Sequence, residues 1–102
     1  MAKGYIIFTE HVRDADALAA YTTAAVPSVV AAGARPIIIG SPARVAEGEW
    51  HGHTTVVLEF DSIDAANSWY DSDSYQAVVG LRHQAATSNV AFFEGFAPPT
   101  AV

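Results

Sequence analysis

Apolar and polar positions change period along this chain, and the changes predict its elements. Tyr5-Ile6-Ile7-Phe8-Thr9 is a β-branched and aromatic run after Gly4. Alternation puts Tyr5, Ile7 and Thr9 on one face of that first strand and Ile6 and Phe8 on the other. The period then lengthens. Leu18, Tyr21, Ala25 and Val29 recur at helical spacing toward Gly33. Asp14 or Asp16 is placed to accept from the free N–H groups at the helix start, and a bend is expected before Pro27. Ala34 to Gly40 reads as a second strand, whose Pro36 cannot donate to a ladder and so argues for an edge or a strand start. After an irregular stretch broken by Gly48 and Gly52, Thr54 to Phe60 is the strongest strand signal in the chain and ends at Asp61.

Two near-continuous helices follow. Ser62 caps one with Ala66, Trp69 and Tyr70 on a stripe, and Ser72 or Ser74 caps another with Tyr75, Val78, Val79 and Arg82. Asn89 to Phe96 closes as a fourth strand, and the prolines after Ala97 cannot continue a sheet. The expected division is one domain over 1–97 and a short tail over 98–102. The order β-α-β-β-α-β predicts an α+β, ferredoxin-like fold: a four-stranded antiparallel sheet with its helices on one face. Large apolar groups fall on both sides of the strands, so the face without helices is too apolar for water. A second copy packed face to face would cover it, and a homodimer is expected.

Composition narrows the partners. The 102 residues are 51% hydrophobic and 16% charged, which suits one folded domain. Eleven acidic residues against five basic ones give a net charge of −6, which repels phosphate backbones and anionic lipid. Lys3, Arg13, Arg35, Arg44 and Arg82 are dispersed rather than clustered, which argues against a nucleic-acid partner. No apolar run approaches the roughly 18 to 20 residues of a membrane span, and the N-terminus lacks the pattern of a signal peptide. With no cysteine there is no disulfide framework and no thiol nucleophile, which suits the cytoplasm, the expected location.

The candidate chemistry lies mainly between Glu59 and Arg82. Glu59 sits late in the third strand, on the face of Val57 and Thr55. Burial would raise its pKa and make it a general base, unless an arginine holds it ionised. The plainer alternative is a structural ion pair. Arg82 follows Tyr75 by seven residues and so shares its helical face. Its planar fork suits a carboxylate, whether that of Glu59 or of a ligand. Trp69 and Tyr75 are core residues by habit, and become ligand-binding candidates because Glu59, Ser72 and Arg82 are interleaved with them. The helix start at Ser72 leaves N–H groups free for an anion, in competition with Asp71 and Asp73. Glu49, His51 and His53 would share one side of an extended strand, but Gly48 and Gly52 interrupt it, and a solvated hairpin without metal is the preferred reading. No cofactor fingerprint and no Ser-His-Asp arrangement is present.

Glu47, Gly48 and Trp50 before the third strand, Gly33 and Arg35 at the start of the second, and Ser72 with Tyr75 at a helix start together resemble the domain-of-unknown-function family 1330. The resemblance spans Gly4 to Gly95 and is most specific between Glu47 and Arg82. Ala34 stands where a second glycine is common, and Asp73-Ser74 replaces a proline-glutamate pair. The resemblance implies the dimeric α/β-barrel superfamily, whose members include cofactor-independent oxygenases, small-molecule decomposing enzymes and non-catalytic binders. It also favours a pocket-facing Arg82. The expectation is a homodimer with a small pocket between sheet and helices, lined by Tyr5, Tyr21, Arg35, Glu59, Trp69, Ser72, Tyr75 and Arg82, that binds a small organic molecule. In an enzyme of this kind Glu59 or a histidine would move a proton and Arg82 would stabilise negative charge, with no bound cofactor. The alternative is a non-catalytic binding or assembly module in which Glu59 and Arg82 form a structural pair.

Overall fold

The computed structural model describes residues 2–97, so the expected tail over 98–102 lies outside the described residues. Four strands, β1 (Gly4–Val12), β2 (Arg35–Gly40), β3 (Thr54–Phe60) and β4 (Ala86–Glu94), form one antiparallel sheet in the order β2-β3-β1-β4. Four helices cover one side of it: α1 (Ala15–Ala31), α2 (Ile63–Tyr70), the single turn α3 (Asp73–Gln76) and α4 (Val79–Ala85). This is the ferredoxin-like α+β arrangement expected from the sequence.

Period-two alternation decides which face each strand residue takes. Ile6, Phe8, Leu58 and Phe60 point toward the helices and pack with Ala25, Ala66, Trp69 and Tyr75 into the core. Ile6, Phe60 and Tyr75 are fully buried, each side chain contributing roughly 1.5–3 kcal/mol of transfer free energy. The other face carries Tyr5, Ile7 and Thr9, which pair across to Glu59, Val57 and Thr55. β1 extends three residues beyond the run read from the sequence, so Glu10 continues the inward series of Ile6 and Phe8 and is itself buried.

The helix caps read from the sequence form, those of α1 and α2 at Asp14 and Ser62 among them. The Asp14 carboxylate accepts from the Ala17 N–H at 3.0 Å, and the Ser62 hydroxyl from the Ala65 N–H at 3.1 Å. α1 continues through Pro27 to Ala31. Pro36 lies on edge strand β2, as its missing N–H requires, and a register shift between Pro36 and Ile38 follows it. The shift leaves Ile38 opposite Val57 on the open face and Ile39 opposite Val56 on the helix face. α4 passes into β4 without a loop, Ala86 being at once the helix cap and the first strand residue. The start of α1 is tied to this corner, because the N–H groups of Arg13 and Asp14 both donate to the Ala85 carbonyl, at 2.8 and 3.1 Å.

His51 and His53 lie in the irregular loop before β3 rather than on a strand. Gly52 between them has φ +79°, and a Cβ there would stand 2.6 Å from the Glu10 carbonyl oxygen. Only glycine fits both the conformation and the space. That close approach lets the His53 N–H donate to the Glu10 carbonyl at 2.7 Å, fixing the loop to β1.

Candidate functional site

The eight residues expected to converge on one pocket fall into separate places. Tyr5, Arg35 and Glu59 lie on the open face of the sheet, and Tyr21, Trp69, Tyr75 and Arg82 lie on the helix side. The proposed Glu59–Arg82 pairing is therefore corrected: the sheet separates the two side chains. The reason is strand alternation, which places Glu59 with Val57 opposite the Leu58–Phe60 face that meets the helices.

On the open face, Arg35 Nε donates to Glu59 Oε1 at 2.9 Å and an Arg35 terminal nitrogen to Asp61 at 3.2 Å. The Tyr5 hydroxyl donates to Glu59 Oε2 at 3.0 Å, and Lys3 Nζ lies 3.6 Å from Asp61. Hydrogen bonds from Arg35 and then Tyr5 hold the Glu59 carboxyl below its ordinary value, so it stays ionised rather than serving as a base. The same bond to Glu59 raises the Tyr5 hydroxyl. The ion-pair alternative weighed for Glu59 is thus the geometry found, with Arg35 as partner.

Ser72 serves the chain itself. Its hydroxyl accepts from the Tyr75 N–H at 3.2 Å and donates to the Trp69 carbonyl at 2.6 Å, which takes up the cap position considered for an anion. It borders a shallow depression with Ser28 and Ser74, apart from the main cleft.

That cleft lies between α1 and the β1–β3–β2 side of the sheet, with a volume of about 230 Å³. Its walls are mostly apolar, with Phe8, Ala25, Val29, Val56, Leu58, Ile39 and Trp69 among them. It is open because α1 does not reach over edge strand β2, leaving Ile39 70% exposed at the rim. Tyr21 and Glu10 are polar members of the lining. Tyr21 and Trp69 are among the residues expected from the sequence, and Glu10 is not. The available signal was its place two residues beyond Phe8, an acidic residue on the inward series of a strand that runs further than its apolar run.

Around this polar end the side chains are densely connected. Arg82, 2% exposed, donates through Nε to the Tyr75 hydroxyl at 3.3 Å, and the Tyr21 and Tyr75 hydroxyls are 2.7 Å apart. The guanidinium carbon stands 5.4 Å from the Phe8 ring centre and 6.0 Å from that of Tyr21. Trp69 stacks on Tyr75 with ring centres 4.1 Å apart, and its indole N–H donates to the Ser28 hydroxyl at 3.0 Å. Glu10 receives a long 3.5 Å contact from the Ser88 hydroxyl, and it forms no ion pair with Arg82 within 4 Å. Burial pushes the Glu10 carboxyl up, against the weaker pull of Arg82 and Ser88. Burial likewise raises the Tyr21 hydroxyl, with the bond to Tyr75 adding to it. The Glu10 carboxylate, in the cleft lining, thus lies within electrostatic reach of the buried Arg82 guanidinium without an ion pair between them. Among the described residues no group of three or more His, Asp or Glu side chains is gathered where a metal ion could be held.

The topology and helix placement define a ferredoxin-like α+β domain, and its likeness to solved structures is consistent throughout. A protein of unknown function from Rhodopseudomonas palustris superposes with a TM-score of 0.76 at 20% identity, over 95% of this chain and 85% of that one. A dimeric ferredoxin-like protein of unknown function from Thermobifida fusca gives 0.60 at 16% identity, over 91% of each chain. A cofactor-independent oxygenase from Streptomyces nogalater gives 0.60 at 10% identity, over 99% and 100%. At these identities the likeness is one of fold. Residues 3–96 match the family described as Domain of unknown function (DUF1330), and the chain belongs to it. No curated protein is significantly similar in sequence.

Proposed function

We propose that this chain is a homodimeric small-molecule-binding protein whose ligand site is the cleft between α1 and the sheet. The observation that carries the reading is the cleft itself: about 230 Å³, mostly apolar in its lining, with Glu10, Tyr21, Thr22 and Thr54 as its polar members. Ligand sites commonly combine apolar walls with a few convergent polar groups, and this volume, at the small end of their range, suits a molecule of one or two rings. Dimerisation rests on the open sheet face, where Ile38 and Phe93 are each about half exposed, and on the dimeric state of the Thermobifida fusca protein. The oxygenase of the same fold makes chemistry without a bound cofactor a reasonable extension.

Trp69 is the reporter. In a Trp50→Phe variant it is the remaining tryptophan, and its fluorescence should change saturably when small aromatic ketones or phenols are titrated in. Ala25→Leu, which adds bulk to a wall of the cleft, should abolish that change while the far-ultraviolet circular dichroism stays the same. Undiminished binding in a folded Ala25→Leu variant would place the ligand elsewhere. A second reading, an assembly module, draws on the same exposed open face and predicts a dimer that binds none of these compounds.

A further inference from the structure

Three hydrogen-bonding side chains are linked behind the Tyr21 part of the cleft lining. Tyr75 is fully buried, and its oxygen has two neighbours: Arg82 Nε at 3.3 Å and the Tyr21 hydroxyl at 2.7 Å. Arginine only donates, so the Tyr75 oxygen accepts from it; either hydroxyl can donate in the Tyr21–Tyr75 contact, and the arrangement in which Tyr75 donates leaves its own proton paired. With Tyr75 as the donor, the proton of Tyr21, which lines the cleft, is free to be donated to whatever lies there. Arg82, Tyr75 and Tyr21 form a relay of donors that ends in the cavity, with a buried positive charge behind it.

Glu10 has the complementary character. The residue is 4% exposed and lines the cleft, and among the described residues its Oε1 has no hydrogen-bond partner yet is not fully sealed. The hydroxyl that ends a donor chain and a carboxylate with an unshared oxygen therefore line one largely apolar cavity.

We propose that the cleft takes an apolar carbonyl compound bearing an acidic C–H beside the carbonyl, and that Glu10 moves this proton while Tyr21 hydrogen-bonds the carbonyl oxygen. The inference rests on the cleft being the ligand site. In the step the C–H bond breaks and the proton forms an O–H bond with Glu10 Oε1. The electron pair left on carbon delocalises onto the carbonyl oxygen as an enolate, and Tyr21 donates to that oxyanion with Arg82 and Tyr75 polarising the hydroxyl. Return of the proton from Glu10 to the same or a conjugated carbon completes an exchange or an isomerisation. No electrons enter or leave, and no co-reactant is consumed. Burial raises the affinity of Glu10 for protons, which makes it a stronger base than a solvated carboxylate.

The probe is 2-indanone in deuterated buffer, with exchange at its two methylene carbons followed by NMR and binding followed through Trp69. The wild-type protein should bind the probe and accelerate exchange over an equal concentration of acetate. Glu10→Gln should bind it and lose about 100-fold or more of the acceleration, the usual share of a positioned base. Tyr21→Phe should lower the turnover rate and shift the carbonyl carbon-13 resonance of the bound probe upfield, and Tyr75→Phe should do so more weakly without changing probe affinity. Should Glu10→Gln fail to fold, Glu10→Asp, with its carboxylate drawn back by one methylene, should show the same loss at unchanged affinity. Binding without accelerated exchange, or exchange that survives both Glu10 variants, overturns the proton-transfer role and leaves the cleft as a binding site. No binding of 2-indanone or of its hydrocarbon counterpart indane overturns both.

Discussion

Replacing Arg82 by Met tests which carboxylate it serves. Met keeps much of the stem's volume and removes the charge, leaving Glu10 buried without a cation. Two limits bound the cost. Beyond 4 Å and at an effective dielectric near 20, attraction between the two charges is below about 4 kcal/mol. Independently, Glu10 can escape by taking a proton. From its ordinary value of 4.5, that escape costs about 3.4 kcal/mol at pH 7 and about 0.7 at pH 5, at 1.36 kcal/mol for each unit. The charge-dependent loss should therefore be at most about 3.4 kcal/mol at pH 7 and at most about 0.7 at pH 5, on top of a pH-independent part from the lost Tyr75 bond and ring contacts. The sign follows from a folded-state value raised above the unfolded one. Below 4.5 Glu10 is neutral in both states and nothing is lost, and the loss grows as pH rises because only the unfolded chain ionises freely. Urea unfolding of wild type, Arg82→Met, Glu10→Gln and the double variant at both pH values gives the cycle. The double variant should recover most of the charge-dependent part, whereas Glu59→Gln combined with Arg82→Met should be additive within error. An Arg82→Met loss identical at pH 5 and pH 7 would refute the argument that Glu10 is the coupled group.

On the open face, Glu59 should titrate below its ordinary value in a carbon-detected NMR titration and return toward it in Arg35→Ala. Because its folded-state value is lowered, its stabilising contribution is present above pH 4.5 and fades as pH falls through the folded value. Light scattering of the wild-type chain should report twice the 10.8 kDa chain mass, and Phe93→Glu or Ile38→Lys on the open face should shift it toward monomer; a wild-type monomer at micromolar concentration removes the dimer from the proposal. Gly52→Ala should destabilise by a few kcal/mol, combining the strain of a positive φ with displacement of the Glu10 backbone, and should show in thermal unfolding; an unchanged midpoint would mean the loop is not fixed to β1 as described.

The strand and helix order was readable because periodicity reports it directly: the Ile6–Phe8 alternation, the Leu18–Tyr21–Ala25–Val29 stripe and the Thr54–Phe60 run each match an element. The site was legible only on its helical side. Tyr21, Trp69, Tyr75 and Arg82 do gather, because spacing on a helix fixes a face. For strands, alternation sorts residues into two faces but does not say which one the helices cover, and both faces here are apolar enough to qualify. Choosing the face of Tyr5 and Glu59 brought Arg35 with them and hid Glu10. A carboxylate at the end of a strand also reads as a strand terminator, so β1 appeared to stop before the residue that matters most to the cleft.

The seamless passage from α4 into β4 makes the spacing between Arg82 and Ser88 an invariant of the design. With Ala85 and Ala86 both buried and no loop between them, no slack exists to absorb a change in chain length. One residue inserted in α4 after Arg82 would turn the guanidinium about 100° around the helix axis relative to the strand, and one inserted at the start of β4 would send Ser88 to the opposite face of the sheet. Relatives that keep this cleft should therefore vary freely in loop length elsewhere, above all between β2 and β3, yet count the same number of residues through this one corner.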